Sequence, residues 1–107
     1  MTPFSVVLIT APKGAPARKV AHAILKRRLA ACVNIVDAIE SHYWWKGKIE
    51  RGNEALLVVK TRKSLFRALV AEVTRVHPYD VPEIVMLDLV EGNRPYLTWL
   101  RDETKEP

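Results

Sequence analysis

The sequence is poor in features that stabilise secreted proteins or anchor membrane proteins. It contains one cysteine, Cys32, among 107 residues, so no disulfide can form within the chain. A lone thiol is typical of a reducing compartment. The apolar run from Phe4 to Ala11 is far shorter than the roughly 20 residues that cross a bilayer, and it lacks the charged start and cleavage site of a secretory signal. We therefore expect a cytoplasmic protein with no membrane partner.

The motifs of common enzyme classes are also missing. The sequence has no glycine-rich phosphate loop, no cysteine pair at metal-ligand spacing, and no serine, histidine and carboxylate set at a family-specific spacing. Acid–base chemistry could in principle use Lys60, His77, Tyr79 and Glu83, but nothing in the sequence indicates a substrate. We predict a protein that binds ligands and is not an enzyme.

The charge is moderately positive and unevenly distributed. Seventeen basic and twelve acidic residues give a formal net charge of +5. The first 30 residues carry six Lys or Arg side chains and no acidic one. Such a segment can attract nucleic acid or an anionic membrane, but a solvated helix face produces the same pattern. We interpret it as a solvated helix face.

The pattern of apolar residues predicts four strands and three helices. Short apolar runs predict the strands, at residues 5–10, 32–39 with a continuation through Trp45, 48–61 and 83–90. Amphipathic stripes predict the helices, at residues 17–31, from an N-cap at Ser64 to Pro78, and from a cap at Asn93 through Leu100. The order is β-α-β-β-α-β-α, which is typical of an α+β, ferredoxin-like sandwich with a short C-terminal helix. We predict one such domain over residues 1–107.

This fold also suggests how the chain could associate. The second and fourth strands lie at the sheet edges, where they can pair with another chain. Tyr43, Trp44 and Trp45 near the tip of a hairpin form an exposed apolar patch in a monomer. Ferredoxin-like sheets can bind RNA by stacking bases on aromatic residues of their central strands. The inner end of the third strand, residues 55–59, has none, so we expect association with further copies of the chain and no nucleic-acid partner.

Six segments occur in the order and at the spacing of one known family. They are Thr10-Ala11-Pro12, Leu29–Asn34 (LAACVN), Tyr43–Lys48 (YWWKGK), Lys60-Thr61, His77–Glu83 (HPYDVPE) and Tyr96–Leu100 (YLTWL). Together they resemble the CutA family of divalent-cation tolerance proteins over nearly the whole chain. The resemblance implies a homotrimer with clefts between subunits and the binding of divalent metal, notably copper. A similar architecture in nitrogen-signalling trimers leaves a small-ligand-binding signalling role as an alternative.

The copper ligands that the resemblance implies are only partly present. The family pattern has a cysteine near the end of the first strand and a His-His pair before Pro-Tyr, whereas this sequence has Ile9 and Val76 and keeps only His77. A divalent ion generally needs three or four ligands. We therefore predict weak binding of copper or another divalent cation by His77 and groups of another subunit, with Cys32 as a second candidate, and no metal requirement for folding. As alternatives, His77 can cap a helix end and Cys32 can be a buried, inert thiol.

A second candidate site combines charged and aromatic side chains. Lys60 ends an apolar strand, and Tyr79 and Glu83 lie in a loop before the next strand. We predict that these three residues line an inter-subunit ligand pocket, with Trp45 and Trp99 as apolar walls. The alternatives are a structural ion pair between Lys60 and Glu83 and plain packing of the two tryptophans.

Overall fold

The computed structural model describes residues 2–106, which form one antiparallel sheet with helices. The elements are β1 Phe4–Ala11, α1 Ala15–Lys26, β2 Cys32–Trp45, β3 Lys48–Arg62, a 3-10 turn Lys63–Leu65, α2 Phe66–Val76, β4 Ile84–Asp88 and α3 Arg94–Glu103. The strand order is β2-β3-β1-β4. This confirms the predicted ferredoxin-like fold, with the second and fourth strands at the sheet edges. Within residues 2–106, no helix is long and apolar enough to span a membrane.

The first helix ends earlier than predicted. The prediction of 17–31 is wrong because Arg28 has a left-handed backbone (φ 59°), which takes the chain out of the helix after Lys26. The N–H of Leu29 donates to the carbonyl of Ile24 at 2.9 Å, as in the Schellman ending of a helix. Glycine usually occupies the left-handed position, so an arginine there gives no sequence signal.

Two further boundaries are corrected. Ser64 is not the cap of the second helix, because it lies inside the 3-10 turn and α2 begins at Phe66. The last strand ends at Asp88 and not at residue 90, because Asp88 pairs with Ser5 near the start of β1, its neighbour in the sheet. Asn93 does occupy the N-cap position of α3, although its side chain makes no capping hydrogen bond.

The β2–β3 hairpin matches the predicted turn and irregularity. Lys46 and Gly47 both have positive φ angles, 49° and 79°, as a type I′ turn requires. A register shift between Val36 and Ile39 places a bulge where the alternation of the sequence is imperfect. The hairpin extends past the helices, and Trp44 near its tip is 73% exposed.

The core lies between one face of the sheet and the helices α1 and α2. The buried side chains alternate along the two central strands, so every second residue of β1 and β3 points to this face. Leu57 of β3 and Leu69 of α2 are both fully buried. Burial of such a side chain contributes roughly 1.5–3 kcal/mol. This layer packs the sheet against the two helices.

The opposite face of the sheet is largely aliphatic and lacks a layer of its own within the described chain. In register across the four strands, its aliphatic side chains are Val6, Leu8, Val36, Leu56, Val58, Val85 and Leu87, which we call the open face. Four further side chains lie on the same side of the sheet: Thr10, Cys32, Asn34 and Lys60. Val36, Val85 and Leu87 are 46%, 44% and 50% exposed. The helix α3 is tied to one end of β3, where Arg62 donates to Thr104 Oγ1 at 2.8 Å. A contiguous apolar surface of this kind usually marks an interaction site.

Candidate functional site

A cleft of about 710 Å³ opens between the β2–β3 hairpin and the loop that follows α2. Three carboxylates and three aromatic rings contribute to its lining: Glu54, Asp80, Glu83, Tyr43, Trp45 and Tyr79. The lining side chains within residues 2–106 include no Lys or Arg. The cleft is therefore locally acidic in a chain whose net charge is +5.

His77 fixes the loop that forms one wall of this cleft. The residue is only 8% exposed. Its Nδ1 accepts the N–H of Tyr79 at 3.1 Å, and its Nε2 lies 2.8 Å from the carbonyl oxygen of Thr10. Because Nδ1 accepts, Nε2 carries the proton and donates to Thr10, which defines the neutral tautomer. Both ring nitrogens are thus engaged within the chain. They contact Thr10 and Tyr79 and not the last carbonyls of α2, so the ring anchors the loop and is not the helix cap that was the alternative to metal ligation.

Tyr79 ties the same loop to β3. Its hydroxyl donates to Glu54 Oε2 at 2.9 Å, and its ring packs on His77 with a centroid distance of 4.7 Å. Burial raises the pKa of Tyr79 to about 12, and the hydrogen bond and negative charge of Glu54 act in the same direction. The phenol therefore stays protonated across the physiological pH range, and its hydrogen bond is kept. The wall formed by residues 77–79 is held at both ends.

Glu83 closes the cleft beside β1. Its Oε1 lies 3.5 Å from Thr10 Oγ1, the outer limit for a hydrogen bond, so this contact is weak. Glu83 is exposed, as is Asp80 in the same loop. Both carboxylates therefore have acceptor capacity for a ligand that carries donors.

Lys60 lies at the other end of the sheet from Glu83. Both β3 and β4 run antiparallel to β1, so they are parallel to each other. The end of β3 and the start of β4 therefore lie at different ends of the sheet. Lys60 pairs with Val6, whereas Ile84 beside Glu83 pairs with Ile9. The Cα atoms of Lys60 and Ile84 are thus about 14 Å apart, from the usual strand spacings. The structural Lys60–Glu83 ion pair, which was the alternative to a pocket, does not form within one chain.

Lys60 belongs instead to a second cluster that includes Cys32. The two residues pair across β2 and β3. The ammonium of Lys60 donates to Asn34 Oδ1, and the thiol of Cys32 lies 3.8 Å from the same oxygen. Burial raises the pKa of Tyr96, and interaction with Cys32 adds to this rise. Trp99 packs on Tyr96, with a centroid distance of 5.5 Å.

The five predicted pocket residues therefore form two groups within one chain. Trp45, Tyr79 and Glu83 line the cleft, whereas Lys60 and Trp99 lie at the other cluster. A meeting of these groups across a subunit boundary stays a prediction.

The two predicted metal ligands are also separated. His77 bonds Thr10, which pairs with Leu56 of β3, whereas Cys32 pairs with Lys60. Four residues along β3 correspond to about 13 Å. Within residues 2–106, no three His, Cys, Asp or Glu side chains are close enough to hold a metal ion. The donors of a single chain therefore do not fit a divalent-metal site.

Two of the acidic cleft residues were not predicted from the sequence. Asp80 lies inside the HPYDVPE segment, so the same segment that indicated Tyr79 and Glu83 could also have indicated Asp80. Glu54 pairs with Ile39 directly after the bulge in β2. Only the folded structure shows that Glu54 contacts Tyr79, because the sequence does not specify which residues follow the bulge in register.

The strand order defines a ferredoxin-like domain, with an aliphatic open face and an acidic, aromatic cleft. The family described as "CutA1 divalent ion tolerance protein" matches residues 5–103. The chain belongs to this family, which confirms the resemblance seen in its six segments. The description is that of a tolerance protein and names no reaction.

Individual relatives agree with this assignment. The divalent-cation tolerance protein CutA of Thermus thermophilus is 52% identical over 99 residues, which are 92% of this chain and 96% of that protein. Protein CutA 1, chloroplastic, of Oryza sativa subsp. japonica is 47% identical over 97% of this chain. The chain spans only 59% of the length of that rice protein. The crystal structure of CutA1 from Oryza sativa superposes with a TM-score of 0.96 at 46% identity, covering 99% of this chain and 97% of that one.

Proposed function

We propose that the protein is a cytoplasmic homotrimer that takes part in the response to divalent metal ions, and that it acts by binding and not by catalysis. The open face is the main observation in support of a trimer. Singly exposed apolar residues are normal on protein surfaces, but a contiguous aliphatic sheet face is not. Three copies around a threefold axis bury all three faces against one another, and such closed symmetry leaves none of them exposed.

The sheet edges supply a second set of contacts. In the described part of the chain, β2 and β4 each have a neighbour on one side only. Unpaired edges favour addition of a strand from another chain. Trp44 and Ile49 on the projecting hairpin are 73% and 66% exposed, so the hairpin can pack on a neighbouring subunit.

The family description supports the metal part of the proposal. Because the donors of one chain form no site, we propose that copper or another divalent cation is bound weakly, by groups from more than one subunit. The cytoplasmic location is supported by Cys32, which is a free thiol and suits a reducing compartment. A second candidate function, small-ligand binding in signalling, is favoured by the acidic and aromatic cleft.

Calorimetric titration of Cu²⁺ into the purified protein tests the metal part. We expect weak binding that is lost when the subunits dissociate, because a single chain supplies too few donors. The variant His77→Ala should retain the copper affinity, since both nitrogens of that ring are engaged in the native fold. Tight copper binding by dissociated chains, or a loss of affinity in a folded and trimeric His77→Ala variant, would contradict this account.

A further inference from the structure

We propose that the cleft beside Tyr79 binds a small organic ligand with primary ammonium groups, such as an alkyl diamine. The inference deepens the proposed binding function by naming a ligand class, and it rests on that function. The cleft volume of about 710 Å³ is within the usual range of small-molecule sites, roughly 300–1,000 Å³.

The charge of the cleft selects for a cation. Glu54, Asp80 and Glu83 line it, and no Lys or Arg does so within residues 2–106. The one imidazole in the lining, His42, is held by Glu40, with 2.7 Å between Nε2 and Oε2. A concave surface of one sign concentrates ions of the other sign, even though the net charge of the chain is +5.

The aromatic walls favour an ammonium group in particular. Tyr43, Trp45 and Tyr79 are 45%, 59% and 37% exposed, so their rings are available to a ligand. The face of an aromatic ring attracts a cation within about 6 Å of its centroid. Lys46 already demonstrates this in the chain itself, because its ammonium lies 5.7 Å from the centroid of the Trp45 ring.

The arrangement fits an organic cation better than a metal ion. The three carboxylates do not converge on one point, since within residues 2–106 no three donors are grouped closely enough for an ion. A diamine has two ammonium groups, each with three N–H donors, which can reach separate carboxylates while the alkyl chain lies on the rings. Tyr79 is already fixed by Glu54 and His77, so binding orders little of the wall.

Titration with 1,4-diaminobutane, in the presence of a metal chelator, tests the inference. We expect the diamine to bind saturably. The neutral 1,4-butanediol should bind with an affinity at least about tenfold lower, because it lacks the charge. Trp45→Leu should weaken diamine binding about three- to tenfold by loss of the ring face, and Asp80→Asn about tenfold by loss of the charge. Asp102→Asn is the matched control for Asp80→Asn: Asp102 is exposed on α3 and does not line the cleft, so this variant should keep the diamine affinity unchanged.

Three results would overturn the inference: no saturable diamine binding up to about 10 mM, equal binding of the diol, or equal losses in Asp80→Asn and Asp102→Asn. Native mass spectrometry of the same samples separates this failure from failure of the proposed trimer. A trimer that binds no diamine overturns only the ligand assignment. A single chain that binds diamine overturns only the trimer.

Discussion

A glutamate at position 58 should dissociate the protein into single chains. Val58 lies in the middle of the open face, where it pairs with Leu8 on one side and Asn34 on the other. It is half-buried in one chain, so Val58→Glu leaves the fold of a single chain intact. The nearest cation on this face, Lys60, already donates to Asn34, so in the trimer the new carboxylate is buried without a cation of its own, at a cost of roughly 3–5 kcal/mol for each copy. Light scattering should then report a mass near the 12.2 kDa of one chain.

The control for this variant places the same charge on the helical side of the molecule. Thr74 is exposed on α2, so Thr74→Glu should keep the mass of the unmodified protein. If Val58→Glu remains assembled while it keeps native circular dichroism, the subunits associate through another surface, such as the hairpin.

Truncation of Leu57 should cause the largest loss of folding stability. Leu57 is fully buried between the sheet and the helices, and Leu57→Ala in such a site costs roughly 2–5 kcal/mol through lost burial and the cavity that remains. Urea unfolding in the Val58→Glu background measures this without a contribution from assembly. A loss of less than 1 kcal/mol is expected only if Leu57 is not part of the core.

Leu56 provides the matched control, because it is the same residue type on the opposite face. It is only half-buried in one chain, so Leu56→Ala in the dissociated background should cost about 1 kcal/mol, a fraction of a full side-chain burial. Equal losses at the two positions would contradict the assignment of the two sheet faces.

The fold was largely predictable because its strands and helices follow simple periodicities. The hairpin turn was also predictable, since Lys46-Gly47 suits a turn with positive φ angles. The end of α1 was not, because Arg28 adopts a conformation that is usually given to glycine. Local sequence does not reveal such a position when tertiary contacts stabilise it.

The candidate site was predicted only in part. Trp45, Tyr79 and Glu83, three of the five residues that were predicted to line one pocket, lie in one cleft of the single chain. Lys60 was placed with them because it ends a strand, but β3 and β4 are parallel, so the end of β3 and the start of β4 lie at different ends of the sheet. The strand directions of the predicted fold already contained this separation.

The order of apolar residues in the sequence indicated the open face, although the overall composition did not. The central strands β1 and β3 contain unbroken apolar runs, at residues 6–9 and 55–59, which is typical of strands covered on both faces. The described chain places α1 and α2 on one of those faces. The second apolar face therefore indicates a cover from outside the chain, which the proposed trimer supplies.

The mass of the unmodified protein in solution tests the central claim most directly. Light scattering coupled to size-exclusion chromatography measures this mass. At a protein concentration of about 1 μM, weakly associated chains are dissociated, so only a stable trimer is detected. Three chains of 12.2 kDa predict about 37 kDa at this and higher concentrations. A mass of 12.2 kDa at micromolar concentration would contradict the account, because the open face would then be stable in water without a partner.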